Sequence, residues 1–132
     1  MKVTGTDVIT LASGSASIAV VSTAVVYTHS NKVAYGEFFN LFYQAKSDGG
    51  TPDVKIEMEV SYQTPATEGS EDADHWVEPE KASDIEASLV DETIHTKAIN
   101  PPVCKYIRFK ITGNAGNPAD TLVSMRLTKQ EN

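Results

Sequence analysis

Residues 54–62 alternate without a break, Val54, Ile56, Met58, Val60 and Tyr62 on one side and Lys55, Glu57, Glu59 and Ser61 on the other. A period of two is that of a β-strand with one face in the core. Burying each large apolar side chain contributes about 1.5–3 kcal/mol before chain entropy is counted, and a slip of one residue would turn all of them outward, so the register is well determined. Residues 103–111 repeat the pattern: Val103, Ile107, Phe109 and Ile111 share one face and Tyr106, Arg108 and Lys110 the other. This stretch reads as a central strand. Asn100-Pro101-Pro102 stops any helix from running into it, because proline lacks an amide donor and pushes the preceding residue to extended geometry. A polar loop with Gly113, Gly116 and Pro118 closes it, and residues 121–128 alternate again, which makes the last quarter of the chain a long-looped hairpin.

The remaining segments are less regular. Residues 17–28 are rich in β-branched side chains, which favours strand over helix. Both faces are apolar, Ile18, Val20, Ala24 and Val26 against Ala19, Val21, Val25 and Tyr27. Either one strand covered on both sides or two strands broken at Ser22-Thr23 accounts for that. A turn at 29–32 leads to residues 33–46, where Phe39, Leu41, Tyr43 and Ala45 alternate with Asn40, Phe42, Gln44 and Lys46. Residues 47–52, Ser-Asp-Gly-Gly-Thr-Pro, are a strong turn signal. Residues 63–74 are polar and acidic and read as an exposed loop. His75-Trp76-Val77 then makes a short strand or corner, with Trp76 plugging one end of the core. Residues 81–90 fit a helical turn or an irregular strand, and 92–99 alternate once more. Residues 1–15, with Gly5, Gly14 and several hydroxyl side chains, read as an extended N-terminal arm with one short strand at 8–11, ahead of a single domain at 16–132.

These segments amount to about seven or eight strands with turn signals between them and little helix, the pattern of an all-β antiparallel sandwich. The long polar loop before the only tryptophan and the late Lys-Tyr-Ile-Arg-Phe strand give it the layout of a jelly roll. A chain of 132 residues with 40% hydrophobic side chains supports one such core. Eighteen acidic against eleven basic side chains leave a net charge of −7, which opposes attraction to nucleic acid or an anionic membrane. The apolar run after Lys2 is interrupted by Asp7, Ser22 and Thr23, unlike a secretory signal, so a soluble protein made in the cytoplasm without export is expected. No stretch reaches the ~20 apolar residues of a membrane helix.

Candidate chemistry is sparse. His29, His75 and His95 are not paired at metal-ligand spacings, and no nucleophile-elbow glycine pattern frames a serine. Cys104, the one cysteine, has the apolar neighbours that make a thiol inert. An enzyme is not expected. No cofactor is expected either; the candidates are Ca²⁺ at the carboxylates of the 68–80 loop, Glu68, Glu71, Asp72, Asp74, Glu78 and Glu80, and after it the Asn114, Asn117 and Asp120 loop. Tyr106, Arg108 and Lys110 share the outward face of one strand and, with Trp76, form a candidate ligand or partner surface.

The order Val54-x-Ile-x-Met-x-Val-Ser-Tyr, a loop, His75-Trp76, then Pro102-Val-Cys-Lys-Tyr-Ile-Arg-Phe resembles the discoidin-like or galactose-binding-like jelly rolls, with a longer acidic loop in place of their Asp-Gly step before the tryptophan. The tail from Tyr106 to Thr121 is similar to small virion proteins of tailed bacteriophages that decorate heads or build tails. The phage resemblance implies a virion location and a structural, non-enzymatic protein that associates with itself or with a larger shell such as a major capsid protein. Ile18, Val20, Val21, Val25 and Tyr27 are the candidate assembly interface, since large apolar patches mark contact sites. The galactose-binding-like resemblance implies the alternative, a carbohydrate-binding module that attaches to a glycan through Trp76, Tyr62 and Tyr35.

Overall fold

A computed structural model describes residues 2–9, 18–33, 37–62, 75–79, 84–100 and 104–131. The elements are β1 (Lys2–Ile9), β2 (Ile18–Ala19), β3 (Val25–Tyr27), β4 (Asn31–Lys32), β5 (Glu37–Lys46), β6 (Val54–Ser61), β7 (Asp84–Leu89), β8 (His95–Ile99), β9 (Tyr106–Gly113) and β10 (Leu122–Glu131). They form two antiparallel sheets. The first has the order β1-β10-β5-β8, with β2 also on β10; the second has the order β3-β9-β6-β7, with β4 also on β9. No α-helix occurs among the described residues.

Two pairs of short strands are halves of longer ones. On β10, Ile9 stands opposite Met125 and Ile18 opposite Val123. On β9, Tyr27 stands opposite Lys110 and Asn31 opposite Ile107. Joined in this way the ten segments become eight strands, ordered first-eighth-third-sixth in one sheet and second-seventh-fourth-fifth in the other. That order is the double Greek key of a jelly roll. Between β3 and β4 the Thr28 hydroxyl accepts a hydrogen bond from the Phe109 amide at 2.9 Å, so the ladder loses no donor across the interruption.

The core lies between the sheets and draws on both. Phe39, Leu41, Tyr43 and Ala45 of β5 and Val123, Met125 and Leu127 of β10 meet Val54, Ile56, Met58 and Val60 of β6 and Ile107, Phe109 and Ile111 of β9. β9 is central, flanked by β3 and β6. Cys104 packs against this cluster, and burial pushes its thiol pKa up.

Residues 18–28 are two strands broken at Ser22-Thr23, and the break is where the chain crosses from one sheet to the other: β2 pairs with β10 and β3 with β9. Ser22 takes a left-handed backbone conformation there, φ 50°. Gly113 lies so close beneath the crossing that a Cβ on it would stand 1.7 Å from the Ser22 carbonyl oxygen. Asn117, itself buried, ties the corner down. Its side-chain nitrogen donates to the carbonyls of Val20 and Ser22, both at 2.9 Å, and its oxygen accepts from the Asp53 amide at 3.0 Å and the Thr121 hydroxyl at 2.9 Å. One amide thus links the crossing, the β5–β6 connection and the β9–β10 loop.

Other expectations are corrected. Residues 2–9 are not an arm but an edge strand paired with β10, so the expected strand at 8–11 begins earlier; residues 10–17 lie outside the described residues. Tyr62 is not in the core. It follows the last β6–β9 pair, Ser61 with Tyr106, and stands 67% exposed where the ladder no longer dictates which way it turns. Residues 84–89 are a strand with two register shifts against β6, which explains their mixed pattern: Ile85 and Leu89 are buried while Ala87 is exposed.

Candidate functional site

Arg108 is the most constrained polar side chain on the outer face of the second sheet. β9 and β6 place it directly opposite Glu59, and its Nε donates to the Glu59 carboxylate at 2.8 Å. Its guanidinium lies between two aromatic rings, 4.2 Å from the centroid of Tyr27 and 4.5 Å from that of Trp76. A planar, weakly hydrated cation suits such a slot. Tyr27 comes from the edge strand β3, and Trp76 from the segment 75–79, which crosses to this face and is anchored to β6 by mutual Val60–Val77 backbone hydrogen bonds. Arg108 is consequently buried although its strand position points away from the core.

Trp76 is also buried, 7% exposed, but against Arg108 and outside the core cluster; it covers the outer face and does not plug the sandwich. The neighbouring Glu57 is buried beside Lys55, 3.7 Å away. Loss of solvent raises its carboxyl pKa, and a hydrogen bond shared with Glu78 raises it further. The alternating outward positions of β6 are therefore not a solvated face. They lie partly beneath the aromatic and acidic side chains of 75–79.

The assembly residues inferred from sequence divide between two environments. Ile18 and Val20 are fully buried core residues and belong to no surface. Val21, Val25 and Tyr27 remain 52%, 49% and 41% exposed, along the crossing and the edge strand β3. The reason is parity: even positions of the segment face the core on both sides of the crossing, and the odd positions face out. Lys110 stands half-buried between Tyr27 and Glu57 in adjacent strands. Tyr106 is also half-buried and lines, with Lys32, Val33 and Lys105, a separate open hollow of about 190 Å³. Tyr35 and the carboxylates at 68, 71, 72, 74 and 80 lie outside the described residues.

A second polar cluster closes the side of the sandwich where β7 and β8 meet. Tyr43 stacks on His95 with ring centroids 5.5 Å apart, and its hydroxyl donates to Glu86 at 3.0 Å. Burial, reinforced by Glu86, pushes the Tyr43 hydroxyl up to about 12. Asp91 lies 2.7 Å from the His95 ring and accepts from both the amide and the hydroxyl of Thr93. Those hydrogen bonds, Thr93 foremost, hold its carboxyl down to about 2. At the same end of the sandwich, in the β9–β10 loop, Asp120 accepts from the Ser47 hydroxyl at 2.6 Å and the Asp48 amide at 3.0 Å, which lowers its pKa. Asn114 reaches the Asp53 carboxylate at 2.8 Å and the Ala87 carbonyl. These loop groups bind one another. Among the described residues no group of three or more His, Cys, Asp and Glu side chains is placed to hold a metal ion.

The sequence grouped Arg108 with Trp76 in one candidate surface, but not with Glu59 or Tyr27. Glu59 was readable in principle, since pairing the two regular strands antiparallel sets it opposite Arg108; Tyr27 and Trp76 arrive from distant segments and carry no such signal. Asn117 stood out only as one polar residue of the Asn114, Asn117 and Asp120 loop, with nothing to mark it as the buried hub of the corner. The chain matches no protein-family model, and a search of curated proteins finds no match.

Proposed function

We propose that the protein is a non-enzymatic structural component of a virion that associates with copies of itself or with a larger shell, most concretely a capsid decoration protein on the head of a tailed phage. The observation that carries this reading is the edge of the second sheet. Among the described residues β3 ends the strand order, and Val21, Val25 and Tyr27 there keep about half of their surface in solvent. An open strand edge flanked by apolar side chains is a template for another chain. The jelly-roll order is also that of many capsid and lectin domains, which is compatible with the reading without choosing it.

The test is molar mass by light scattering over a concentration series, for wild type and for Val21→Glu with Val25→Glu. A discrete oligomer that the double variant loses supports assembly through this edge. A wild type that is monomeric throughout overturns self-association. The carbohydrate-binding alternative draws on Tyr62, which is 67% exposed, whereas one face of the Trp76 ring is already occupied by Arg108. Glycan-array hits abolished by Tyr62→Ala would reverse the order of the two readings.

A further inference from the structure

β1 and β2 occupy one edge of β10, and their registers fit a single ladder. Ile9 is opposite Met125 and Ile18 opposite Val123, so only Ser124 lies between the two pairings. One residue would bridge that gap. The chain inserts eight, residues 10–17, Thr-Leu-Ala-Ser-Gly-Ser-Ala-Ser. Parity is kept across the insertion, because Ile9 and Ile18 sit at the register positions of Met125 and Val123, which are both buried.

The two halves are held very differently. β2 is fixed by the burial of Ile18 and Val20, by the Val20 amide on the Thr121 carbonyl at 3.0 Å, and by Asn117 on the Val20 carbonyl. β1 ends the strand order and has β10 as its one strand neighbour among the described residues. Eight residues can span up to about 26–29 Å when extended, several times the ~4.8 Å between adjacent strands. A small, Ser- and Gly-containing sequence is the composition of a connecting linker.

We propose that β1 is an exchange strand: in the assembled protein it leaves its own β10 and takes the equivalent place on β10 of a second copy. This rests on the reading above that copies associate, and adds to the β3 edge of the second sheet a contact in the first sheet on which association also depends. Exchange re-forms the same seven registered pairs, from Lys2 with Glu131 to Ile9 with Met125, so no native pairing is lost. Exchange of an identical element is a low-cost route to oligomers. Simple addition of one β1 edge to another is less favourable, because the register shift between Val3 and Gly5 and the charges of Lys2 and Asp7 blunt that edge.

The experiment uses the full chain with Cys104→Ser, Thr6→Cys and Thr128→Cys. Positions 6 and 128 are directly opposite, within reach of a disulfide. After oxidation at low and high concentration, non-reducing gels show whether the link lies within or between chains. Expected are within-chain links in the monomer and between-chain links in the oligomer fraction. A second variant deletes residues 11–17, so that Thr10 alone stands opposite Ser124 and the strand is continuous. It is expected to remain monomeric, with within-chain links at every concentration reporting native pairing of β1. An oligomer fraction containing only within-chain links overturns exchange and leaves assembly standing, as does a deletion variant that assembles like wild type. A wild type that never leaves the monomer overturns both. If the deletion variant does not fold, the full-length cysteine pair decides alone.

Discussion

Replacing Arg108 by Met tests whether the aromatic slot is held by charge or by packing. The substitution keeps most of the side-chain length between Tyr27 and Trp76 and removes the ion pair with Glu59. The pair is largely shielded, with side chains 8% and 12% exposed. Removing one member of a buried pair costs about 3–5 kcal/mol, mostly because the other is stranded. Each desolvated cation–π contact contributes about 1–2 kcal/mol, and a thioether recovers part of that through sulfur–aromatic contact. Because Glu59 keeps some solvent access, a net loss of about 3 kcal/mol is expected for Arg108→Met. Adding Glu59→Gln removes the stranded charge and should bring the loss to about 1–2 kcal/mol, a coupling well outside additivity. Arg108→Lys, which keeps charge but not the planar stack, should fall at about 1–2 kcal/mol. Urea unfolding followed by fluorescence measures wild type, the two single variants Arg108→Met and Glu59→Gln, their double variant and Arg108→Lys, and Trp76, the only tryptophan, reports from the slot itself. If Arg108→Met lies within about 0.5 kcal/mol of wild type, the small effect of ordinary surface changes, or if the two substitutions simply add, the ion-pair argument is wrong.

Asn117→Ala is expected to cost about 2–4 kcal/mol, since it strips partners from several groups around one buried corner; Asn117→Asp should be no better, having no donors for the Val20 and Ser22 carbonyls. Thermal unfolding checks both, and a neutral Ala variant refutes the hub. Gly113→Ala should lower the urea midpoint strongly, because the new methyl meets the Ser22 carbonyl at 1.7 Å; unchanged unfolding would mean that the sheet crossing yields easily. For Asp91, the folded protein holds the carboxyl at about 2 against an ordinary 3.8. The folded state therefore binds fewer protons than the unfolded chain, and this stabilisation, present above about pH 4, disappears as pH falls toward 2. Asp91→Asn should flatten the acid limb of stability between pH 4 and 2, measured as urea midpoint against pH; parallel limbs would show that the hydrogen bonds from Thr93 and His95 do not matter.

The alternation in 54–61 and 106–111 is enough, by itself, to determine β6, β9 and their inward faces, because a period of two with large side chains allows one register and penalises every other. The other strand-like segments, and the lack of a helical pattern long enough to form a layer, make the partner of those faces a second sheet and the chain an all-β sandwich. The segment 17–28 shows where this stops. Its residues are apolar on both sides, so the sequence cannot choose between Ile18, Val20 and Val26 and the opposite set of Val21, Val25 and Tyr27. The crossing at Ser22, made possible by the missing side chain of Gly113 and the amide of Asn117, decides that the even positions face the core and the odd ones face out. Arg108 is the same lesson in a polar residue. Local pattern marks it as outward and therefore wet, and only the arrival of Tyr27 and Trp76 from 81 and 32 positions away makes it buried. Periodicity reports which side of a strand a residue occupies; what covers that side is a long-range contact, and the tertiary structure alone supplies it.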